Sequence, residues 1–192
     1  MIELKGLILV NTDKDLFVEP EEYEKLQDTF RCKTEYDNGR IIMHSGTSIK
    51  HNDIVLNINM YLRLYLKNSK CNSFTEQIEV IFSNDKEEYK YKPDVFVVCE
   101  ESTRKGESFT SAPKIIFEVV SKSTSSHDYI TKLAVYQKFQ VLEYNIVEPN
   151  GYIVQYGLIE GAYQITNTFH QGDTFVSFVF NEFKMKLQDI FE

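Results

Sequence analysis

The chain has 192 residues, 42% of them hydrophobic and 26% charged, which is the balance of an ordinary globular domain with room for one well-buried core. Its 21 basic and 29 acidic residues leave a net charge of -8, which argues against a long basic surface that tracks nucleic acid. Between Lys86 and Lys138, however, nine Lys/Arg stand against eight Asp/Glu, so a small, metal-assisted contact to phosphate stays open.

The start, "MIELKGLILVNTDKDLF", lacks the long apolar core of a signal peptide, and no run approaches transmembrane length. Cys32, Cys71 and Cys99 are odd in number, widely spaced and without a CxxC pair, which argues against a disulfide framework and a zinc site. The expectation is a single domain over 1–192, in a reducing cytoplasm, with no membrane partner.

"EPEEYEKLQDTF" places Pro20 and acids in a first turn and predicts a short helix. "CKTEYDNGRIIMH" reads as a hairpin around Asn38-Gly39, which tolerates positive φ at both turn positions. In "TSIKHNDIVLNINMYLRLYLKNS", His51, Val55, Ile58, Leu62 and Tyr65 recur at helical steps and predict a long helix packed on something flat. "NSFTEQIEVIF", "DVFVVC" and "KIIFEVVS" read as strands, and the last two are apolar enough to be covered on both faces. "SHDYITKLAVYQKF" predicts a second helix, capped near Ser126 or Asp128, with Ile130, Leu133, Ala134 and Phe139 as its apolar stripe. "EYNIVEP", "GYIVQYG", "AYQITNTF" and "TFVSF" read as an antiparallel meander, and "LQDIF" as a last helical turn. The order describes an α/β sandwich around one mixed sheet.

Two strand-like runs each carry an acid that a buried strand should not favour, Asp94 and Glu118. Glu118 shares a face with Ile116 and Val120, and if the two runs are neighbours, Asp94 converges on it. Two convergent carboxylates repel unless a divalent cation lies between them, and hard oxygen donors suit magnesium or manganese better than zinc. On the following helix Asp128, Lys132 and Tyr136 recur every four residues, so Lys132 is a candidate for the positive group that positions an attacking water and stabilises charge on a phosphate. Each residue also has a plainer role: Asp94 as a post-proline carboxylate that caps neighbouring backbone, Lys132 as a solvated helix lysine.

The stretches "EYDNG", "SGTSIKHNDI", "YKPDVFVVC", "PKIIFEVVSKST", "DYITKLAVY" and "LEYNIVEP" together resemble the Uma2 family, placed in the PD-(D/E)XK nuclease superfamily. The resemblance implies a restriction-endonuclease-like core over 35–192, a mixed central β-sheet flanked by helices with an antiparallel C-terminal meander, preceded by an extension over 1–34. It implies a magnesium-dependent DNA endonuclease, manganese being a substitute, with Asp94 and Glu118 as the motif acids and the Val119 carbonyl as a further metal ligand. The superfamily lysine two residues after the acid is absent, since that position is Val120; the resemblance moves its role to Lys132, with Lys122 ranked second. His51 would border the site and contact phosphate, Glu35 would be a further metal-shell carboxylate or a structural ion pair, and Asp128 would cap the helix and orient Lys132. Cutting both strands of a duplex would favour a two-fold homodimer. The alternative is a vestigial nuclease fold that binds nucleic acid or a protein partner, because fold alone does not carry activity.

Overall fold

The structure is a computed structural model and describes residues 17–44, 46–121 and 126–192. The central sheet has six strands in the order β12-β11-β10-β9-β6-β3, formed by β3 (Cys71–Thr75), β6 (Val95–Cys99), β9 (Ile115–Val119), β10 (Glu143–Glu148), β11 (Tyr152–Ile159) and β12 (Ala162–His170). It is mixed: β9 and β10 run parallel, and the other neighbours are antiparallel. A second sheet, in the order β2-β1-β5-β4-β8-β7, contains β1 (Thr34–Asp37), β2 (Arg40–Met43), β4 (Val80–Ser83), β5 (Glu88–Tyr91), β7 (Arg104–Lys105) and β8 (Ser108–Phe109). A short ribbon pairs β13 (Thr174–Val176) with β14 (Lys184–Lys186).

The helices are α1 (Pro20–Leu26), α2 (Ile49–Tyr65), α3 (Leu133–Lys138) and α4 (Leu187–Phe191), and α3 is preceded directly by a π-helical turn over His127–Lys132. Strand alternation sorts the core into two layers. On one face Val95, Val97, Ile115, Phe117 and Val119 meet Ile54, Val55, Ile58 and Leu62 of α2, and Leu187, Ile190 and Phe191 of α4. On the other, Phe96, Val98, Ile116 and Val120 meet Val135 and Tyr136 of α3 and Val80, Phe82 and Tyr91 of the second sheet.

The hairpin turns at Asn38 (φ 43) and Gly39 (φ 101), both in the left-handed region that this dipeptide tolerates. Four expectations are corrected. The single mixed sheet is two six-stranded sheets plus a ribbon, because "NSFTEQIEVIF" breaks at a turn closed by Ile78 N–H to the Thr75 carbonyl and sends β3 and β4 into different sheets. "TFVSF" leaves the meander to pair with β14. Ile130 and Ala134 face solvent, and the inward face of their helix is Asp128, Lys132, Val135 and Tyr136. Cys71 and Cys99, opposite each other on β3 and β6 with Cα atoms 3.9 Å apart, form a disulfide, while Cys32 is exposed and free.

Candidate active site

The ladder between β6 and β9 ends at Val95 and Phe117, while β9 continues beside β10 to Val119. Beyond the last pair, side chains replace backbone partners. Val119 N–H donates to Asp94 Oδ2 at 2.8 Å, and Asp94 N–H donates to Glu118 Oε2 at 3.3 Å. Both acids therefore sit where the two strands part, buried at the floor of an open cleft of about 920 Å³. The capping role read for Asp94 and its convergence with Glu118 are present together.

Three elements bring cations to this floor. The π-helical turn presents Lys132, whose Nζ lies 2.9 Å from Glu118 Oε1, 3.2 Å from Glu35 Oε2 and 3.6 Å from Asp128 Oδ1. Its three N–H donors thus face three carboxylates, and the Tyr91 ring lies 5.5 Å from it. The segment before β1 presents Lys33, 3.3 Å from Asp94 Oδ1 and 3.8 Å from Glu76. Helix α2 presents His51, because Ser48 at its N-cap accepts the His51 N–H and starts the helix beside the cleft. His51 Nε2 lies 3.2 Å from Asp94 Oδ2, and its Nδ1 is buried without a partner among the described residues.

Glu35 on β1 is fully buried and accepts from Lys92 N–H at 2.8 Å, with His44 Nε2 at 3.0 Å, in addition to Lys132. Tyr136 completes the shell by donating to Glu118 Oε1 at 2.7 Å. Asp128 lies inside the helical turn and pairs with Lys132; the N-cap itself, Ser126, makes no side-chain cap bond. Lys122 lies outside the described residues.

Four carboxylates, Glu35, Asp94, Glu118 and Asp128, face two lysines, and the proton affinities divide accordingly. Burial works against the Asp94 carboxylate, yet the His51 hydrogen bond and the Lys33 charge outweigh it and hold its pKa well below the ordinary range. Burial opposes Glu35 too, and Lys132 and His44 overcome it, so its pKa is likewise depressed. Glu118 goes the other way: burial, then repulsion from Asp94 and Asp128, outweigh Lys132 and push it up to about 8. Burial works against the charge of Lys132, and the acids around it, Glu118 first, outweigh that and hold its pKa well above the ordinary value.

The donors available to a cation are carboxylate oxygens of Asp94 and Glu118 and the Val119 carbonyl, at the point where β9 has lost its β6 neighbour. This all-oxygen set fits magnesium or manganese. Among the described residues no group of three His, Cys, Asp or Glu is arranged around one point, so water would fill the remaining positions, the usual condition of protein-bound magnesium.

Lys33, His44 and Glu76 were not singled out by sequence reasoning. For Lys33 a signal existed: it lies two residues before Glu35 and so shares its strand face.

A buried acid pair with a lysine at the parting of two strands is the kind of site that a nuclease-like α/β fold carries, and comparison with known proteins specifies the family. Residues 20–188 match the family model described as "Uma2: Putative restriction endonuclease", and the chain belongs to that family. It is 29% identical over 124 residues to the uncharacterised protein slr1290 of Synechocystis sp., covering 65% of this chain and 64% of that protein. It is 28% identical over 138 residues to a second Synechocystis protein, the uncharacterised sll1609, covering 70% of this chain and 77% of that one. The chain thus spans a little under two thirds of the first relative's length. Its fold is that of a crystal structure from Anabaena variabilis described as a putative nuclease belonging to DUF820, with a TM-score of 0.70, 17% identity, and coverage of 89% of this chain and 96% of that one. No helix among the described residues is long and apolar enough to cross a membrane.

Proposed function

We propose that the protein is a divalent-metal-dependent DNA endonuclease that hydrolyses phosphodiester bonds, with magnesium as its metal and manganese as a substitute. The observation that carries this reading is the meeting of Asp94, Glu118 and Lys132 at the floor of one open cleft. A bound ion would supply a water of lowered pKa and neutralise charge on the scissile phosphate. Asp94, Glu118 and the Val119 carbonyl would hold that ion. Lys132 fixes the rotamer of Glu118 and keeps the acid cluster compact. Its longest contact, to Asp128 at 3.6 Å, is the one it could exchange for the attacking water. Lys33 and His51, which line the cleft beside Asp94, would take the phosphate oxygens. The reading includes a two-fold dimer for cutting both strands.

A second reading has one observation in its favour: Lys33, His51 and Val119 N–H already satisfy the Asp94 carboxylate, as they would in a nuclease fold kept only for binding. The two readings separate in a cleavage assay on duplex, single-stranded and branched DNA with magnesium or manganese. The nuclease reading expects cutting by the wild type and a loss of roughly 10² or more in Asp94→Asn and Glu118→Gln. A wild type that binds these substrates and cuts none of them supports the binding module.

A further inference from the structure

Helix α2 carries apolar residues on two opposite faces. Ile54, Val55, Ile58 and Leu62 are buried in the core. Ile49, Leu56, Met60 and Leu64 are 83%, 54%, 51% and 67% exposed and follow one another at seven-, four- and four-residue steps along the outer face. A helix that is apolar on both sides normally has a partner on both sides.

The charges on the same outer face say which partner. Asp53 and Arg63 lie five positions on either side of Ile58, and Leu56 and Met60 lie two positions on either side of it. A single two-fold axis at the level of Ile58, perpendicular to the helix, sets Leu56 against Met60 of a second copy, and Asp53 against its Arg63, each pair occurring twice. Lys67, nine positions after Ile58, then lays its methylene stem over the Ile49 of the other copy. Asp53 makes no ion pair among the described residues, and Arg63 only a long hydrogen bond, 3.5 Å, to the Ser73 carbonyl, so both are available.

We infer that the outer face of α2 is a homodimer seam, in which two copies pack antiparallel through Leu56 and Met60 and are held in register by reciprocal Asp53–Arg63 pairs. The inference does not depend on nuclease activity. It has a consequence for the cleft, because Thr47 and Ser48 at the start of α2 line it. The two clefts then flank the seam, with the two His51 residues about 20 Å apart along the helix axis. One helix face per copy covers less than the roughly 800 Å² per partner of a standard stable interface, so the dimer dissociates on dilution.

The test is sedimentation of the full chain over a roughly hundredfold concentration range, where a mass-action equilibrium becomes visible. The wild type should shift from monomer to dimer. Leu56→Ser with Met60→Ser should remain monomeric; both side chains are exposed, so the fold is retained. Asp53→Arg and Arg63→Asp should each weaken the dimer by about tenfold, and the double exchange should return it to near the wild-type value. A dimer indifferent to the serine pair, or single reversals that the double exchange fails to rescue, overturns the inference. A full chain that stays monomeric also overturns it. If that monomer dimerises once residues 1–16 are removed, the stripe belongs to the chain's own N-terminal segment; if not, it belongs to a foreign partner.

Discussion

The carboxylate of Asp94 accepts the Val119 N–H at 2.8 Å, in the place where the β6–β9 ladder would otherwise have continued. One acid thus ends a strand pairing and also forms half of the candidate metal site. Asp94→Asn retains an acceptor for Val119 and should destabilise the protein only mildly, while Asp94→Ala strands a buried donor and should cost about 1–3 kcal/mol by denaturant unfolding. Both variants should lose magnesium binding in calorimetry. Unchanged magnesium binding in Asp94→Ala would remove Asp94 from the metal site.

Glu118 is the acid that the cluster tolerates least. Glu118→Gln keeps an acceptor for Lys132 and Tyr136 and, like the protonated acid that a pKa of about 8 favours at neutral pH, brings no negative charge to the cluster. Its melting temperature without metal should therefore equal or exceed that of the wild type. Added manganese should then stabilise the wild type and not the variant, since only a ligand that binds the native state raises its stability. A clear drop in the metal-free melting temperature of Glu118→Gln would make the Glu118–Lys132 pair a structural ion pair.

Lys33 stands next to Asp94 on the cleft wall and competes with any cation for that carboxylate. Lys33→Gln should bind magnesium several-fold more tightly, because one repelling positive charge is gone, and should bind DNA more weakly with a shallower salt dependence. Titration of both ligands checks the sign of each change. Weaker magnesium binding in Lys33→Gln would mean that the lysine holds the site open.

Glu143 tests burial away from the cleft. It is buried without a cation, accepting from Asn145, Gln155, Ser177 and the Val179 N–H, and burial raises its pKa despite these hydrogen bonds. A raised carboxylate binds its proton more tightly in the folded state, so its contribution is full below the ordinary carboxylate range near 4.5 and is lost as pH rises through the raised value. The stability advantage of wild type over Glu143→Gln should therefore shrink as pH rises from 4.5, as read from unfolding midpoints across pH. At low pH the variant should be less stable by about 1–3 kcal/mol, because its amide cannot face four donors. A gap that widens with pH would reverse the sign assigned to Glu143.

The acids were legible in part because strand alternation is a local rule: Ile116, Glu118 and Val120 could be assigned to one face from parity alone, and Asp94 joined them only on the condition that its run is the neighbouring strand, which the β6–β9 pairing meets. The helix after β9 was legible in spacing and misjudged in direction. Asp128, Lys132 and Tyr136 do share a face, but the usual expectation that Ile130 points inward fails, since here the inward face meets carboxylates and a lysine has more to gain than an isoleucine. That burial also changes what removing Lys132 does. A lysine acting only on the reaction would leave stability untouched, whereas Lys132→Ala here removes the buried ammonium that Glu35, Glu118 and Asp128 share and should cost about 3–5 kcal/mol. The division of the strands between two sheets, the Cys71–Cys99 bond and the arrival of Lys33 at Asp94 all depend on which strands become neighbours. No window of the sequence records that.

The π-helical turn at His127–Lys132 sets how one segment of the chain responds to a change of length. A π turn holds one residue more than the α turn it replaces, and each residue of a helix accounts for about 100° of rotation. Removing a single residue between His127 and Lys132 would let the segment relax to a regular α-helix with the flanking side chains kept nearly in direction, because the α turn covers the same rotation with one residue fewer. Deletion of one residue should therefore be tolerated better here than within Leu133–Lys138, where it would swing every later side chain by about 100°, and a chain one residue shorter at this turn can still set its lysine against the acids.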